Sequence, residues 1–238
     1  MKLVGVGMGP GDPELVTVKA VRVLREADLV VVPVMEPVAQ GRAEATVRAH
    51  VDHDRVQRLV FALDDRGGAT VARRQAWETA ADAVAEVLRG RRTVAFATIG
   101  DPNVYSTFTY LADAVRERLP DVVVETVPGI TAMQDLAARS GTVLCEGTES
   151  LALLPLTAGI EAFEQAIAHF DSVVAYKGGR QMAAVRDVLA RHGRLDGAVF
   201  GAALGLPEEQ VGPLPTGEAP YLSTVIAPAR RTSRGGKL

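Results

Sequence analysis

The sequence predicts an α/β fold of two domains, with a mainly parallel N-terminal sheet and a mixed C-terminal sheet. Three observations support this. Short β-branched runs alternate with longer helical patterns through the first half of the chain, the rhythm of parallel strands covered by helices. Two glycine–proline turns each close an apolar run just before a helix-like segment. They are Gly5-Val6-Gly7-Met8-Gly9-Pro10-Gly11-Asp12-Pro13-Glu14 and Thr98-Ile99-Gly100-Asp101-Pro102-Asn103-Val104-Tyr105-Ser106-Thr107. Open α/β sheets bind ligands at that end of their strands, and two such turns roughly ninety residues apart predict one site built from distant parts of the chain. Finally, 238 residues that are 47% hydrophobic can fill one large core or two small ones.

In chain order, strands are predicted at 2–7, 28–32, 55–61 and 93–97, with helices at 13–26, 41–53 and 70–89 between them. The helix at 13–26 has a clear start: Asp12 can cap it, Pro13 suits its first position, and Glu14 suits the positive end of its dipole. A helix at 104–118 ends near Pro120, where the boundary between a first domain (1–120) and a second (121–230) is placed. A strand at 122–127 is closed by Pro128-Gly129. The second series runs helix 130–140, strand 151–155, helix 160–169, strand 172–176 and helix 181–192. The last strands, 198–203 and 222–226, have only the glycine- and proline-rich stretch 205–220 between them, so they are expected to pair antiparallel. The basic, glycine-rich end, 231–238, reads as a disordered, solvated tail.

Composition removes several function classes. A formal net charge of −3 offers no nucleic-acid surface. No apolar run is long enough for a membrane span, and the N-terminal run is shorter than a secretory leader. Cys145 is the single cysteine, so no intrachain disulfide forms and the cytoplasm is the expected compartment. The dinucleotide fingerprint fails in detail: counted from Gly5 its third glycine is Pro10, and counted from Gly7 it is Asp12. Strand two also ends Val30-Val31-Val32-Pro33, without the acid that would hold a ribose. No Gly-Lys-Ser/Thr follows the glycines, and there is no nucleophile elbow. The densest metal-like group, His50-Val51-Asp52-His53-Asp54, reads as a solvated helix end, so no metal site is expected.

Together these residues resemble the tetrapyrrole methylase family, along nearly the whole chain. The resemblance begins with Val4–Ala20, including Gly9-Pro10-Gly11-Asp12-Pro13-Glu14-Leu15-Val16-Thr17, and continues through Leu24-Arg25-Glu26-Ala27-Asp28-Leu29-Val30. The Gly100-Asp101-Pro102 turn and Val127-Pro128-Gly129-Ile130-Thr131-Ala132 follow in order. The second turn, with Tyr105-Ser106-Thr107, is similar to the branch acting at C20 of precorrin-2 or cobalt-factor II. Uroporphyrinogen enzymes would show Gly-Gly-Asp-Pro followed by Phe-Gly-Arg. The segment 151–155 and Pro220-Tyr221-Leu222-Ser223 also look like the C20 branch.

The resemblance implies two α/β domains with the active site in the cleft between them, a homodimer, and S-adenosyl-L-methionine as methyl donor, leaving as S-adenosyl-L-homocysteine. By position it puts donor contacts on Pro10, Ile99, Gly100, Asp101, Val104, Ser106, Thr107, Thr131, Ala132, Tyr176, Lys177, Ala202 and Ala203. Asp101, Lys177 and Tyr221 are the candidate catalytic groups, and Arg42, Arg73, Arg74 and Arg180 the candidates for substrate carboxylates. Adenosylmethionine has no phosphate, which fits glycine turns interrupted by proline. Plainer readings stand beside these. Asp101 could be an Asx-turn that only holds its loop, and Ser106 and Thr107 a helix cap. Gly9-Pro10-Gly11 could be a tight turn, Thr131 and Ala132 helix-start packing, Lys177 a solvated lysine and Tyr221 an edge residue. The alternatives for function are a sister methylase acting at another ring carbon, a nicotinamide-dependent dehydrogenase, and a non-catalytic tetrapyrrole-binding protein.

Overall fold

The computed structural model describes residues 1–36, 38, 41–51, 53–61 and 70–231. They divide into two compact units, Met1–Thr131 and Ala132–Leu238.

The first unit is built on five parallel strands in the order β3-β2-β4-β1-β5: β1 Lys2–Gly7, β2 Leu29–Val34, β3 Val56–Val60, β4 Thr93–Thr98 and β5 Val123–Val127. Side chains alternate across the sheet, so β1 serves two cores. Leu3 joins Phe96, Phe108, Leu111 and Val84 beneath α3 (Val71–Arg89) and α4 (Phe108–Arg118). Val4 and Val6 join Ala20, Leu24 and Val47 beneath α1 (Val18–Glu26) and α2 (Arg42–Arg48). Each fully buried Leu or Phe contributes about 1.5–3 kcal/mol by leaving water. Because β5 pairs with β1, it completes the first sheet, and the boundary expected at 120 falls one strand too early.

Three helices differ from expectation. The run 13–26 is not one helix but a 3-10 turn, Pro13–Leu15, followed by α1. Asp12 does cap the turn, accepting from the Glu14 amide at 2.9 Å, but Thr17 starts afresh by accepting from the Ala20 amide at 3.2 Å. Helix α2 stops at Arg48, short of the expected 53. Helix α4 starts at Phe108 rather than 104, because Tyr105 has φ +52° and Ser106 accepts from the Phe108 amide.

The second unit opens with α5 (Ala132–Ser140). Its sheet order is β6-β7-β10-β8-β9: β6 Leu151–Pro155, β7 Ser172–Tyr176, β8 Val199–Ala202, β9 Gln210–Gly212 and β10 Ser223–Ala227. Strands β6 and β7 are parallel; every other pairing is antiparallel, including the expected β8–β10 pair. The sheet is mixed, as the sequence predicts. Strand β9 lies inside the glycine- and proline-rich stretch and was not expected; it forms a hairpin with β8. Helices α6 (Ile160–His169) and α7 (Met182–Arg191) cover one face through Phe163, Met182, Val185 and Leu189, and α5 covers the other through Leu136. Arg194 donates to the carbonyls of Ile167, Phe170, Asp171, Ala227 and Pro228, tying the end of α6 to the end of β10. Arg231 is anchored rather than loose, paired with Glu149 and Glu146. The rest of the expected tail, 232–238, lies outside the described residues, as does Asp52 of the histidine–aspartate group.

Candidate active site

In the first unit the two glycine turns meet as backbone. The Met8 amide donates to the Thr98 carbonyl at 2.9 Å, and the Gly100 amide donates to the Gly9 carbonyl at 2.7 Å. Gly9 and Gly100 take φ +71° and +67°, which glycine adopts without a Cβ penalty. The Pro128-Gly129 turn closes the junction. A Cβ on Gly7 would lie 2.5 Å from the Gly129 nitrogen and 2.7 Å from the Gly100 oxygen. Three strand ends, those of β1, β4 and β5, therefore touch main chain to main chain. At Gly100 the side facing a hypothetical Cβ is open, with nothing within 4 Å.

Asp101 is nearly buried, and its carboxylate links two of these turns. Oδ1 accepts from the Asn103 amide at 2.8 Å and Oδ2 from the Gly129 amide at 3.0 Å. The Asx-turn reading is thus realised in its geometry. Ser106 donates to Thr98 Oγ1 at 3.0 Å while capping α4, so the cap reading holds for Ser106; Thr107 occupies the N-cap position without a side-chain cap bond. Pro10 is buried, while Ile99 and Val104 are half-buried on the two sides of Asp101. Thr131 is buried at the end of this unit. Tyr105 is 44% exposed, and burial of its ring raises its phenol above the ordinary range.

The first turn is also held from α2. Thr46 donates to the Gly11 carbonyl at 3.3 Å, and His50 Nε2 lies 2.9 Å from the Pro13 carbonyl. The helix is in turn fixed by Glu44, whose carboxylate is fully buried between Arg48 (2.6 Å) and Arg58 (2.7 Å). Burial pushes that carboxyl upward, but hydrogen bonds and charge from Arg58 and Arg48 outweigh it and hold it below the usual glutamate range.

In the second unit, four expected residues gather at one end of the mixed sheet. Tyr176 and Lys177 end β7; Ala202 and Ala203 end β8; the start of β10 lies between them, with Thr224 opposite Tyr176 and Ser223 opposite Ala202. The Lys177 amide donates to the Ser223 carbonyl at 3.0 Å. The Tyr176 hydroxyl accepts from the Met133 amide at 3.0 Å, which fixes the first turn of α5, begun by Ala132, against β7. Lys177 and Ala203 have φ +62° and +51°. Non-glycine residues rarely turn this way, and such strain collects at functional sites. Among the described residues the others are Tyr105, in the second glycine turn, and Arg91, in the turn after α3.

Sequence reasoning missed Ser223 as a site residue. Its hydroxyl is buried with no hydrogen-bond partner among the described residues, beside Ala202 and near Gly178. A single serine opening a strand has no signal of its own; only its register exposes it. Tyr221 is 51% exposed two residues before it, and Arg180 is exposed in the 3-10 turn after Lys177. Arg42 begins α2, whereas Arg73 and Arg74 lie in the first turn of α3. No group of three or more metal-binding side chains occurs among the described residues.

This geometry, glycine turns joined at the ends of parallel strands and a mixed second sheet, matches a known family. The family model for Tetrapyrrole (Corrin/Porphyrin) Methylases covers residues 2–220, and the chain belongs to that family. It is 34% identical to the precorrin-2 C(20)-methyltransferase of a Sinorhizobium species over 95% of each chain. It is 32% identical to the cobalt-precorrin-2 C(20)-methyltransferase of Salmonella typhimurium, over 88% of this chain and 86% of that one. In fold it resembles the uroporphyrin-III C-methyltransferase of Thermus thermophilus, solved with S-adenyl homocysteine. The TM-score is 0.64 at 22% identity, covering 95% of this chain and 96% of the other.

Proposed function

We propose that this protein is an S-adenosylmethionine-dependent methyltransferase that methylates C20 of precorrin-2 or its cobalt form in cobalamin biosynthesis. The observation that carries the proposal is the glycine junction. Main chain of three strand ends is packed without side chains, so an open turn can present Gly100 and its neighbours to a neutral nucleoside. The C20 relatives above support the ring position.

The residues fit an adenosyl ligand. Ser223 offers a buried hydroxyl that no group among the described residues satisfies, and a buried polar group of that kind calls for a partner. Ala202 stands opposite Ser223 in the β8–β10 register, and on the other side of β10 the Lys177 amide donates to the Ser223 carbonyl. The donor contacts proposed on the family resemblance are Pro10, Ile99, Gly100, Asp101, Val104, Ser106, Thr107, Thr131, Ala132, Tyr176, Lys177, Ala202 and Ala203. When bound, the donor supplies an electrophilic methyl group on a sulfonium that is already a good leaving group. The protein's task is alignment and exclusion of water. Asp101 serves by holding the turn, since both its oxygens accept backbone amides. Lys177 and Tyr221 are the polar groups that ease loss of the C20 proton. The protein acts as a homodimer in the cytoplasm.

Anaerobic incubation with adenosylmethionine and either precorrin-2 or cobalt-factor II tests this. Mass spectrometry should show one added methyl group, and carbon NMR should place it at C20. A methyl at another carbon would overturn the ring assignment but keep the chemistry; absence of donor binding would overturn the methyltransferase reading.

A further inference from the structure

We infer that Glu209 and Arg139 form a brace that sets the shape of the Ala203–Leu206 turn and thereby the affinity for the methyl donor. This rests on the reading above, in which Ala202 and Ala203 contact the donor.

The brace lies wholly within the second unit. Strands β8 and β9 form a hairpin whose loop runs from Ala203 to Glu209. Its first residue, Ala203, has φ +51° and its third, Gly205, φ +74°. Alanine does not hold such a conformation unaided, so something must determine it from outside. Glu209, at the loop's base, supplies that. Its carboxylate accepts from the Gly205 amide at 2.7 Å, and its own amide donates to the Leu206 carbonyl at 3.0 Å. The Leu206 amide donates to the Ala203 carbonyl at 3.0 Å, which closes the turn.

Glu209 is itself held by α5. Arg139 Nη1 lies 2.9 Å from its carboxylate, while Arg139 Nε donates to Asp135 Oδ1 at 2.9 Å. Asp135 is 5% exposed and its other oxygen has no hydrogen-bond partner among the described residues; Arg139 compensates its charge. Helix α5 has little freedom to shift. Leu136 packs directly on Gly201 of β8, where a Cβ would lie 2.7 Å from the leucine methyl. The same helix carries the Met133 amide that binds Tyr176. One rigid helix therefore fixes both flanks of β10: the β7 end through Met133, and the β8 end through Arg139 and Glu209. Glu209 is a positioning residue, two hydrogen bonds away from any atom assigned to the donor.

The test is Glu209→Gln, with Arg139→Gln and Arg139→Lys beside it, in the full-length protein. Affinity for S-adenosylhomocysteine is measured by calorimetry, and steady-state kinetics vary the methyl donor and precorrin-2 separately. Glu209→Gln should raise the donor KM and the S-adenosylhomocysteine Kd about five- to tenfold. The KM for precorrin-2 and kcat at saturating donor should stay within about twofold, a split that general loss of structure would not give. Arg139→Lys should recover most of what Arg139→Gln loses. Wild-type affinity retained in Glu209→Gln, or kcat and both KM values shifting together, would overturn the brace. If the wild-type protein bound no S-adenosylhomocysteine, the functional reading would fail instead, and the two failures are distinct.

Discussion

Replacing Gly7 by alanine tests the glycine junction directly. A Cβ there would sit 2.5 Å from the Gly129 nitrogen, 2.6 Å from its Cα and 2.7 Å from the Gly100 oxygen. Comfortable contact needs about 3.5 Å, so the opposing backbone must retreat by close to 1 Å. None of the three atoms belongs to a side chain that could rotate away. Overpacking of this kind costs about 1–3 kcal/mol, a fall of roughly 6–12 °C in melting temperature for a chain this size at the upper end. The functional cost should be larger, because a displacement of about 1 Å at a site can cost on the order of a hundredfold in rate. Gly100→Ala is the control for stability alone: nothing lies within 4 Å, but φ is +67°, so unfolding registers only conformational strain of about 1–2 kcal/mol, while its Cβ would enter the open side proposed to face the donor. Calorimetric unfolding and titration with S-adenosylhomocysteine read both quantities. If Gly7→Ala matched the wild type in melting temperature and affinity, the close packing of the three turns could not be what fixes the site.

Other outcomes follow from single residues. Ser223→Ala should weaken S-adenosylhomocysteine binding about fivefold by calorimetry while leaving the melting temperature of the ligand-free protein unchanged or raised, since the hydroxyl has no partner among the described residues. Asp101→Asn keeps an acceptor for the Asn103 amide but turns a donor toward the Gly129 amide; stability should fall by about 1–3 kcal/mol, with donor affinity falling too. Glu44→Gln should cost about 2–4 kcal/mol in denaturant melts, somewhat below a fully enclosed pair because Arg48 and Arg58 are partly exposed. The carboxyl of Glu44 is held below its unfolded value, so its contribution is complete above the ordinary glutamate range of about pH 4.3 and is lost as pH falls through the lowered value. Wild-type melts should therefore lose stability on acidification below about pH 4.3, and the Glu44→Gln protein should lose less over the same interval.

What the sequence made legible was periodicity and turn chemistry. Strands β1, β6 and β7 fall where the apolar runs put them, and α6 matches its helical period at both ends. The misses have local causes. Thr17 competes for the chain with its own cap and splits the first helix. Strand β9 is three residues long and itself ends in a glycine, too short for any period to show. The boundary was placed at Pro120, where the helix before it ends, one strand too early; only the pairing of β5 with β1 reveals its allegiance. At the site, the glycine turns stood out because glycine and proline have backbone consequences visible in one dimension. Ser223, Arg139 and Glu209 did not, since their importance arises from register and from contacts across a sheet.

The glycine junction also bears on how such a protein can change. Gly7 and Gly129 are locked to each other, so neither can vary alone. The stretch after Gly100 is different: Asn103 and Tyr105 are exposed, and Val104 is only half-buried. Framework and variable surface are thus separated within a single turn. Mutational drift, or a designer seeking a different ring position or a bulkier alkyl donor, can explore residues 103–105 while the main chain beneath them stays in register and Ser106 keeps its cap on α4.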